Sequence, residues 1–153
     1  MIEQIPQKQA NRRRWMAILA RAGAADIAAH LADCGTLPRH TVIRGPEDGL
    51  VMVRGRIGGG GGAFNLGEMT VTRCSVHLDD GTLGHAYVTG RDGRQAELAA
   101  LADALLQLPP WSSVIEQRVI APLEQAQETA RAARAAKAAN TQVQFFAMQT
   151  TRA

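Results

Sequence analysis

Hydrophobic residues in the first part of the chain recur at the spacing of a helix face. One helix is predicted over Ala10–Ala22, and a second, shorter helix is predicted to end before Gly35. The residues expected on their buried faces are Trp15, Ile18, Leu19 and Ala22 in the first helix and Ile27, Leu31 and Cys34 in the second. Gly23 separates the two, so the N-terminal part of the chain is predicted to form a helical hairpin.

The pattern then changes to the alternation that is typical of strands. Thr41–Arg44 is a weak strand candidate, and Pro46–Gly49 has the composition of a turn. Three later segments alternate more clearly, with Asp80-Gly81 as a hairpin signal between the last two: Leu50–Ile57, Met69–Leu78 and Thr82–Thr89. In the middle segment, one face is expected to carry Thr70, Thr72, Cys74, Val76 and Leu78. We predict an antiparallel meander of at least three strands with one covered face.

Helical spacing returns in the last third of the chain. A helix is predicted over Arg94–Leu108, ended by Pro109-Pro110, with one apolar stripe made of Leu98, Leu101, Ala102, Leu105 and Leu108. Ser113 and Glu116 have the spacing of a capping box that would open the next helical segment. Pro122 is predicted to kink or divide that segment.

The end of the chain contains an alanine-rich segment and a short apolar run. Gln125–Ala139 is predicted to be a helix that is marginal alone, so we expect it to lie on another surface. Val143–Met148 contains the adjacent aromatic residues Phe145 and Phe146, which would face opposite ways on a strand. One of them is expected to meet the core, and the other is a candidate for a subunit interface.

Together these elements predict an α+β fold with a helical hairpin, an antiparallel sheet, and C-terminal helices packed on the sheet. A length of 153 residues fits a single domain, 1–153, in which 1–9 is expected to be flexible and 149–153 to be a tail.

Composition and charge exclude some kinds of site but do not identify a function. The net charge of +3 comes mostly from arginine, which suits bidentate contacts with phosphate but is also favoured by a GC-rich genome. Cys34 and Cys74 lack CxxC spacing, so neither zinc nor thioredoxin-like chemistry has support. We find no signal segment before the first helix and no apolar run of membrane-spanning length, and we expect a soluble, cytoplasmic protein with free thiols.

The glycine run Gly58–Gly62 is the first candidate for chemistry. A phosphate loop normally leads into a helix and carries Lys with Ser or Thr, whereas this run leads into a predicted strand. We favour a flexible connection between strands, and a loop that closes over a ligand held by another subunit stays open. The candidate ligand contacts are Arg56, Gly58, Gly59, Gly61, Arg73 and Arg91, although ion pairs or a solvated sheet face are the more ordinary interpretation of each arginine.

Other signals are weaker. Arg12–Arg14 would wrap around a helix rather than form one stripe, so nucleic-acid binding is not expected. His77 and His85 are brought near each other by the predicted hairpin, but a metal site needs a third ligand, and we favour an ordinary surface pair. We identify no catalytic residues and no metal site. A stand-alone nucleotide- or phosphate-binding module that uses Gly58–Gly62 is the alternative to a partner-dependent subunit.

The order of short motifs along nearly the whole chain, from Arg12 to Met148, resembles the PhnG family of bacterial carbon–phosphorus lyase systems. The first half of the series is Arg12, Trp15-Met16, Leu19-Ala20, Gly49-Leu50-Val51, Arg56, Gly58-Gly59, Gly61, Phe64, Gly67, Thr70 and Thr72-Arg73. The second half is Asp80-Gly81-Thr82-Leu83-Gly84, Val88, Gly90-Arg91-Asp92, Ala96-Glu97, Leu101, Asp103-Ala104-Leu105, Ile120-Ala121-Pro122-Leu123, Phe145-Phe146 and Met148.

The resemblance implies a subunit of a core complex that degrades organic phosphonates. Such a complex transfers the ribose triphosphate moiety of ATP to methylphosphonate and releases adenine. It implies partners, chiefly PhnI-like and also PhnH- and PhnJ-like, with ATP as substrate of the complex and no cofactor bound by this chain alone. Trp15, Phe145 and Phe146 are the candidate interface residues, and the chain is expected to be non-catalytic by itself.

Overall fold

A computed structural model describes residues 7–141 of the chain. Its elements in chain order are the helices α1 (Gln7–Leu19) and α2 (Ala24–Ala32), the strands β1 (His40–Arg56), β2 (Ala63–Leu78) and β3 (Leu83–Thr89), and the helices α3 (Gly93–Leu106), α4 (Pro109–Ile115) and α5 (Ala121–Ala139). A short 3₁₀ turn, Ile57–Gly59, joins β1 to β2, and a π-helical turn, Glu116–Ile120, joins α4 to α5. The predicted α+β class and the order of helices and strands are confirmed.

The N-terminal helical hairpin forms as predicted, with a shifted first helix. α1 covers Gln7–Leu19 rather than Ala10–Ala22, so residues 7–9 are helical and residue 22 lies in the turn before α2. The apolar residues expected inside are buried, and Ile27 is fully buried. Cys34 is only partly buried, because it follows the end of α2.

The three strands form one antiparallel sheet in the order β1-β2-β3, which is the predicted meander. Alternation in β2 places Thr72, Cys74, Val76 and Leu78 on the buried face. The turn at Asp80-Gly81 is also confirmed: Gly81 has a φ of 85°, and the carboxylate of Asp80 accepts a hydrogen bond from the backbone N–H of Thr82 at 2.9 Å.

The prediction of a turn at Pro46–Gly49 is wrong, because β1 runs without a break from His40 to Arg56. Within the strand, the turn-forming residues are accommodated by shifts in the pairing register with β2. These shifts lie between Val42 and Arg44 and between Arg44 and Glu47. Gly45 has a φ of 77°, and a Cβ there would lie 2.5 Å from the backbone oxygen of Arg73. A bulge at a glycine therefore carries the strand past the proline.

α3 is the central helix of the fold. The prediction of one apolar stripe is wrong: with the exception of the half-buried Glu97, every residue from Gln95 to Leu106 is buried. The sheet covers one side of the helix, and α1, α2 and α4 contact its other sides. The side chain of Asp92 accepts a hydrogen bond from the N–H of Gln95 at 2.9 Å and caps the N-terminus of α3.

The predicted capping box at Ser113 and Glu116 is wrong. Pro109 and Pro110 occupy the first turn of α4, where a missing N–H costs nothing, so the helix begins before Ser113. Pro122 follows the π-helical turn, which agrees with its predicted role in dividing the C-terminal helical segment.

α5 is held to the fold only near its beginning. Leu123 is its buried residue, and every residue from Glu128 to Ala139 is exposed. The prediction that this alanine-rich stretch lies on another surface remains a prediction. The apolar run Val143–Met148 and the chain ends 1–6 and 142–153 fall outside the described residues.

The hairpin of β1 and β2 extends past the rest of the sheet. The last residue of β3, Thr89, pairs with Val71, and the N–H of Gly90 bonds to the backbone oxygen of Thr70, so β3 ends there. Residues 50–69, which we call the arm, continue as a two-stranded ribbon that ends in the glycine run.

Candidate functional site

A fully buried carboxylate lies at the junction of α1, α3 and β3. Asp103 of α3 accepts hydrogen bonds from Arg12 Nε at 3.1 Å and Nη2 at 2.7 Å, and from the indole Nε1 of Trp15 at 2.8 Å. The backbone N–H of His85 on β3 is a further donor, at 3.0 Å. Because four hydrogen bonds from α1 and β3 engage its oxygens, Asp103 holds α1, α3 and β3 together.

The end of α3 also bonds to the beginning of the free edge of β3. Asp103 accepts a hydrogen bond from the N–H of His85, and the side-chain amide of Gln107, which follows α3, donates to the backbone oxygen of Leu83 at 2.8 Å. Unpaired groups at a sheet edge are otherwise open to pairing with another chain. At residues 83 and 85, the edge is therefore bonded to the protein itself.

A cleft of about 730 Å³ opens beside this junction, between α1 and α4. It is lined in part by Arg12, Arg14, Trp15, Gln107 and Glu116. Its two arginines are already paired: Arg12 binds Asp103, and Arg14 binds Glu116 at 2.7 Å as well as Glu124. The hydrogen bonds that Arg14 donates to Glu124 and then to Glu116 raise the pKa of Arg14 above its ordinary value. The cleft thus offers shape, one indole edge and the ammonium of Lys8, while both of its arginines are engaged by carboxylates.

The sequence did not predict that Asp103 would be the buried acceptor at the junction of α1, α3 and β3. The signal was present, since it is the one charged residue in the run from Leu98 to Leu106. A lone carboxylate among residues that are otherwise buried and apolar needs donors from elsewhere in the fold.

The glycine run lies at the tip of the arm and connects two strands, as predicted. The 3₁₀ turn Ile57–Gly59 shapes it, with Gly58 at a φ of 60°. Arg56 donates from Nη1 to the backbone oxygen of Gly61 at 3.1 Å. This contact holds the loop on itself and turns part of the Arg56 guanidinium toward the glycines.

The other candidate arginines are not brought to that loop. Arg73 pairs with Glu47 at 2.9 Å, and its hydrogen bond with Tyr87, followed by the charge of Glu47, raises the pKa of Arg73. The β2 partner of Arg56 is Ala63, ten positions before Arg73, so the two arginines lie about 30 Å apart along the strand. Arg91 is exposed in the turn between β3 and α3. The six candidate ligand contacts therefore form no single site in the described chain.

The two histidines do not lie directly opposite each other across the hairpin, because each has a different cross-strand partner. His85 pairs across the sheet with Ser75, and its Nδ1 lies 2.9 Å from the Ser75 hydroxyl. His77 lies opposite Leu83, with its Nδ1 3.0 Å from the backbone oxygen of Leu78. Within residues 7–141, His, Cys, Asp and Glu side chains form no cluster of three or more that would suit a metal ion.

Of the candidate interface residues, Trp15 lies in the core of the fold. It is 8% exposed and bound to Asp103, so only its edge at the cleft is available to a partner. Phe145 and Phe146 lie outside the described residues.

Among the helices of residues 7–141, none combines the length and the apolar character that crossing a membrane requires.

Comparison with known proteins agrees with the order of motifs in the sequence. The family model described as phosphonate metabolism protein PhnG matches residues 10–151. The chain is also 43% identical over 142 residues to the alpha-D-ribose 1-methylphosphonate 5-triphosphate synthase subunit PhnG of Rhizobium meliloti (strain 1021), with 91% of this chain and 88% of that protein covered. The chain therefore belongs to the PhnG family of phosphonate metabolism proteins.

Proposed function

We propose that this chain is the PhnG-type subunit of an alpha-D-ribose 1-methylphosphonate 5-triphosphate synthase. The observation that carries the proposal is 43% identity, over most of both chains, to a relative that bears this subunit name. In the proposed complex, the ribose triphosphate moiety of ATP is transferred to methylphosphonate and adenine is released. ATP as substrate also supports a cytoplasmic location for the complex.

The chain acts as an accessory subunit that shapes or gates a site on its partners, chiefly a PhnI-like subunit and also PhnH- and PhnJ-like subunits. The pairing of its polar groups supports this role. Asp103 is occupied by Arg12 and Trp15, and Arg73 is paired with Glu47. The glycine run lies at the end of the arm, away from these groups, where another subunit is able to reach it.

The direct test is reconstitution with and without this chain. The partner subunits are purified together, supplied with ATP and methylphosphonate, and adenine release is followed by chromatography. We expect adenine release to fall to background when the chain is omitted and to return when it is added. Adenine release by the lone chain would contradict the accessory role, and no dependence on the chain would contradict the subunit assignment.

Phe145 and Phe146 remain interface candidates within this proposal. Changing each to Ser is expected to weaken assembly with the partner subunits by at least tenfold while the thermal midpoint of the lone chain changes little. An equal loss of assembly and of thermal stability would instead assign the two aromatic residues to the core.

A further inference from the structure

The arm carries most of the exposed large hydrophobic residues of the described chain. Large apolar side chains project from it into solvent, with Met52 at 52%, Leu66 at 66% and Leu50 at 62% exposed. Of the arm residues whose exposure the structure describes, none is buried. Scattered apolar residues are ordinary on a protein surface, but a continuous set on one projecting element marks an interaction surface.

Both faces of the arm carry this character. Cross-strand partners share a face, so Leu50 opposite Thr70 continues the core-facing side of the sheet, as does Met52. Val51, paired with Met69, stands on the other face. A flat partner surface would cover one face only. The arm therefore fits a cleft that contacts both.

An isolated two-stranded ribbon is marginally stable in water, and in the described chain the arm continues past the end of β3 with no third strand beside it. The seven residues of Leu50–Arg56 extend about 23 Å. A ribbon of that length, with a perimeter of about 40 Å, presents roughly 900 Å² of surface, which is about what one partner buries in a standard stable interface. The arm is therefore long enough to supply about one side of an interface of standard size.

The charge of the arm indicates the chemistry of the occupant. Arg54 and Arg56 lie near its tip, and Glu68 is its acidic residue, so the arm is basic towards its end. In a two-fold pairing of the arms of two copies, each basic tip would meet the base of the other hairpin and would need acidic groups there. There Glu47 is bound to Arg44 and Arg73, and Asp48 accepts a hydrogen bond from Thr72. An unlike partner is favoured for that reason.

We infer that the arm inserts into an apolar cleft with an acidic floor on another subunit of the synthase, and presents its glycine tip there. This inference rests on the proposed function. It assigns the exposed residues of the arm a role that the rest of the fold does not explain, and it places Arg56 and the glycine run at a subunit boundary.

The test compares two variants in the arm, one in each of its strands, with a control variant in the part of β1 outside the arm. Met52→Thr and Met69→Thr change one apolar residue on each face, and Ile43→Thr is the control, since Ile43 is 51% exposed in β1 outside the arm. Each variant is titrated against the assembled partner subunits. We expect both arm variants to bind at least tenfold more weakly and the control to bind within twofold of the unchanged chain, with thermal midpoints of the lone chains alike.

Hydrogen–deuterium exchange supplies a second measurement that does not depend on a variant. Amides of residues 50–56 and 63–69 are expected to exchange at least tenfold more slowly in the complex than in the lone chain.

Assembly that leaves the arm amides unprotected, or arm variants that bind like the control, would overturn the inference while leaving the proposed function intact. A lone chain that dimerises through the arm would also overturn it, by assigning the arm to a second copy. Failure of the unchanged chain to bind any partner subunit would instead overturn the proposed function.

Discussion

Arg12 of α1 and Asp103 of α3 form a two-pronged ion pair across 91 positions of sequence, with Nη2–Oδ2 at 2.7 Å and Nε–Oδ1 at 3.1 Å. The carboxylate is fully buried, whereas the arginine side chain is 35% exposed. Asp103 also accepts hydrogen bonds from the indole of Trp15 and from the backbone N–H of His85 at the edge of β3. This one side chain therefore sets the position of α1 against both the central helix and the sheet.

Arg12→Met is expected to lower the free energy of unfolding by about 2–3 kcal/mol, because it leaves the buried carboxylate of Asp103 with fewer donors. Arg13→Met, at the exposed neighbouring position, is the control and should stay within about 0.5 kcal/mol of the unchanged chain. Urea unfolding of the three proteins measures both effects. Equal midpoints for the two variants would show that the pair contributes little.

Gly84→Ala is expected to destabilise the protein by about 3 kcal/mol or more, because β3 and α3 touch backbone to backbone at this residue. An added Cβ would lie 2.0 Å from the backbone oxygen of Ala100 and 2.8 Å from the Cβ of Ala104. Gly49→Ala is the matched strand control: nothing lies within 4 Å of its Cβ, and it should change stability by less than about 1 kcal/mol. Thermal unfolding distinguishes them, and a Gly84 variant as stable as the Gly49 variant would refute the close approach.

Much of the fold followed from local patterns. Alternation in β2 and helical spacing in α1 and α2 report which side of each element is buried, and these predictions are confirmed. The path of β1 was mispredicted because its irregularity depends on a neighbour: the glycine at position 45 fits against the backbone of Arg73 on β2. The composition of the segment around Pro46 is that of a turn, and only pairing with β2 makes it a strand.

The candidate site was harder to predict for the same reason. Asp103 is visible in the sequence as a charge among apolar residues, but its donors come from Arg12 and Trp15, which are far away in the chain. Arg56 and Arg73 were both candidate phosphate contacts from the strand pattern, although ion pairs were the favoured interpretation. Their separation depends on strand register, which places Arg56 opposite Ala63, ten positions before Arg73 on β2.

Glu124→Gln is expected to remove a small, pH-dependent stabilisation. A hydrogen bond from Arg14 lowers the pKa of Glu124 below its ordinary value of 4.5. A depressed folded-state pKa stabilises the fold fully above the unfolded value, and this contribution is lost as the pH falls through the folded value. The variant should therefore be less stable than the unchanged chain by up to about 1 kcal/mol at pH 7, and the difference should shrink below about pH 4.5.

Unfolding midpoints at pH 7 and at pH 3 measure this difference. Glu128→Gln, on the exposed part of α5, is the control and should show no such pH-dependent change. A difference between Glu124→Gln and the unchanged chain that is constant over this range would mean that the pair with Arg14 does not form in solution.

The two thiols are expected to react with a disulfide reagent at very different rates. Burial raises the pKa of both, above the ordinary value of 9.0, which lowers the reactive thiolate fraction at pH 8. Cys34 is partly exposed beyond α2, whereas Cys74 is 2% exposed on the core face of β2.

In the Cys74→Ser variant, Cys34 should react in the native state, more slowly than free cysteine and faster as the pH rises. In the Cys34→Ser variant, Cys74 should react only at the rate at which the protein opens, and should become fully reactive in urea. Native labelling of Cys74 as fast as that of Cys34 would show that the sheet is not covered by α3 in the way the structure describes.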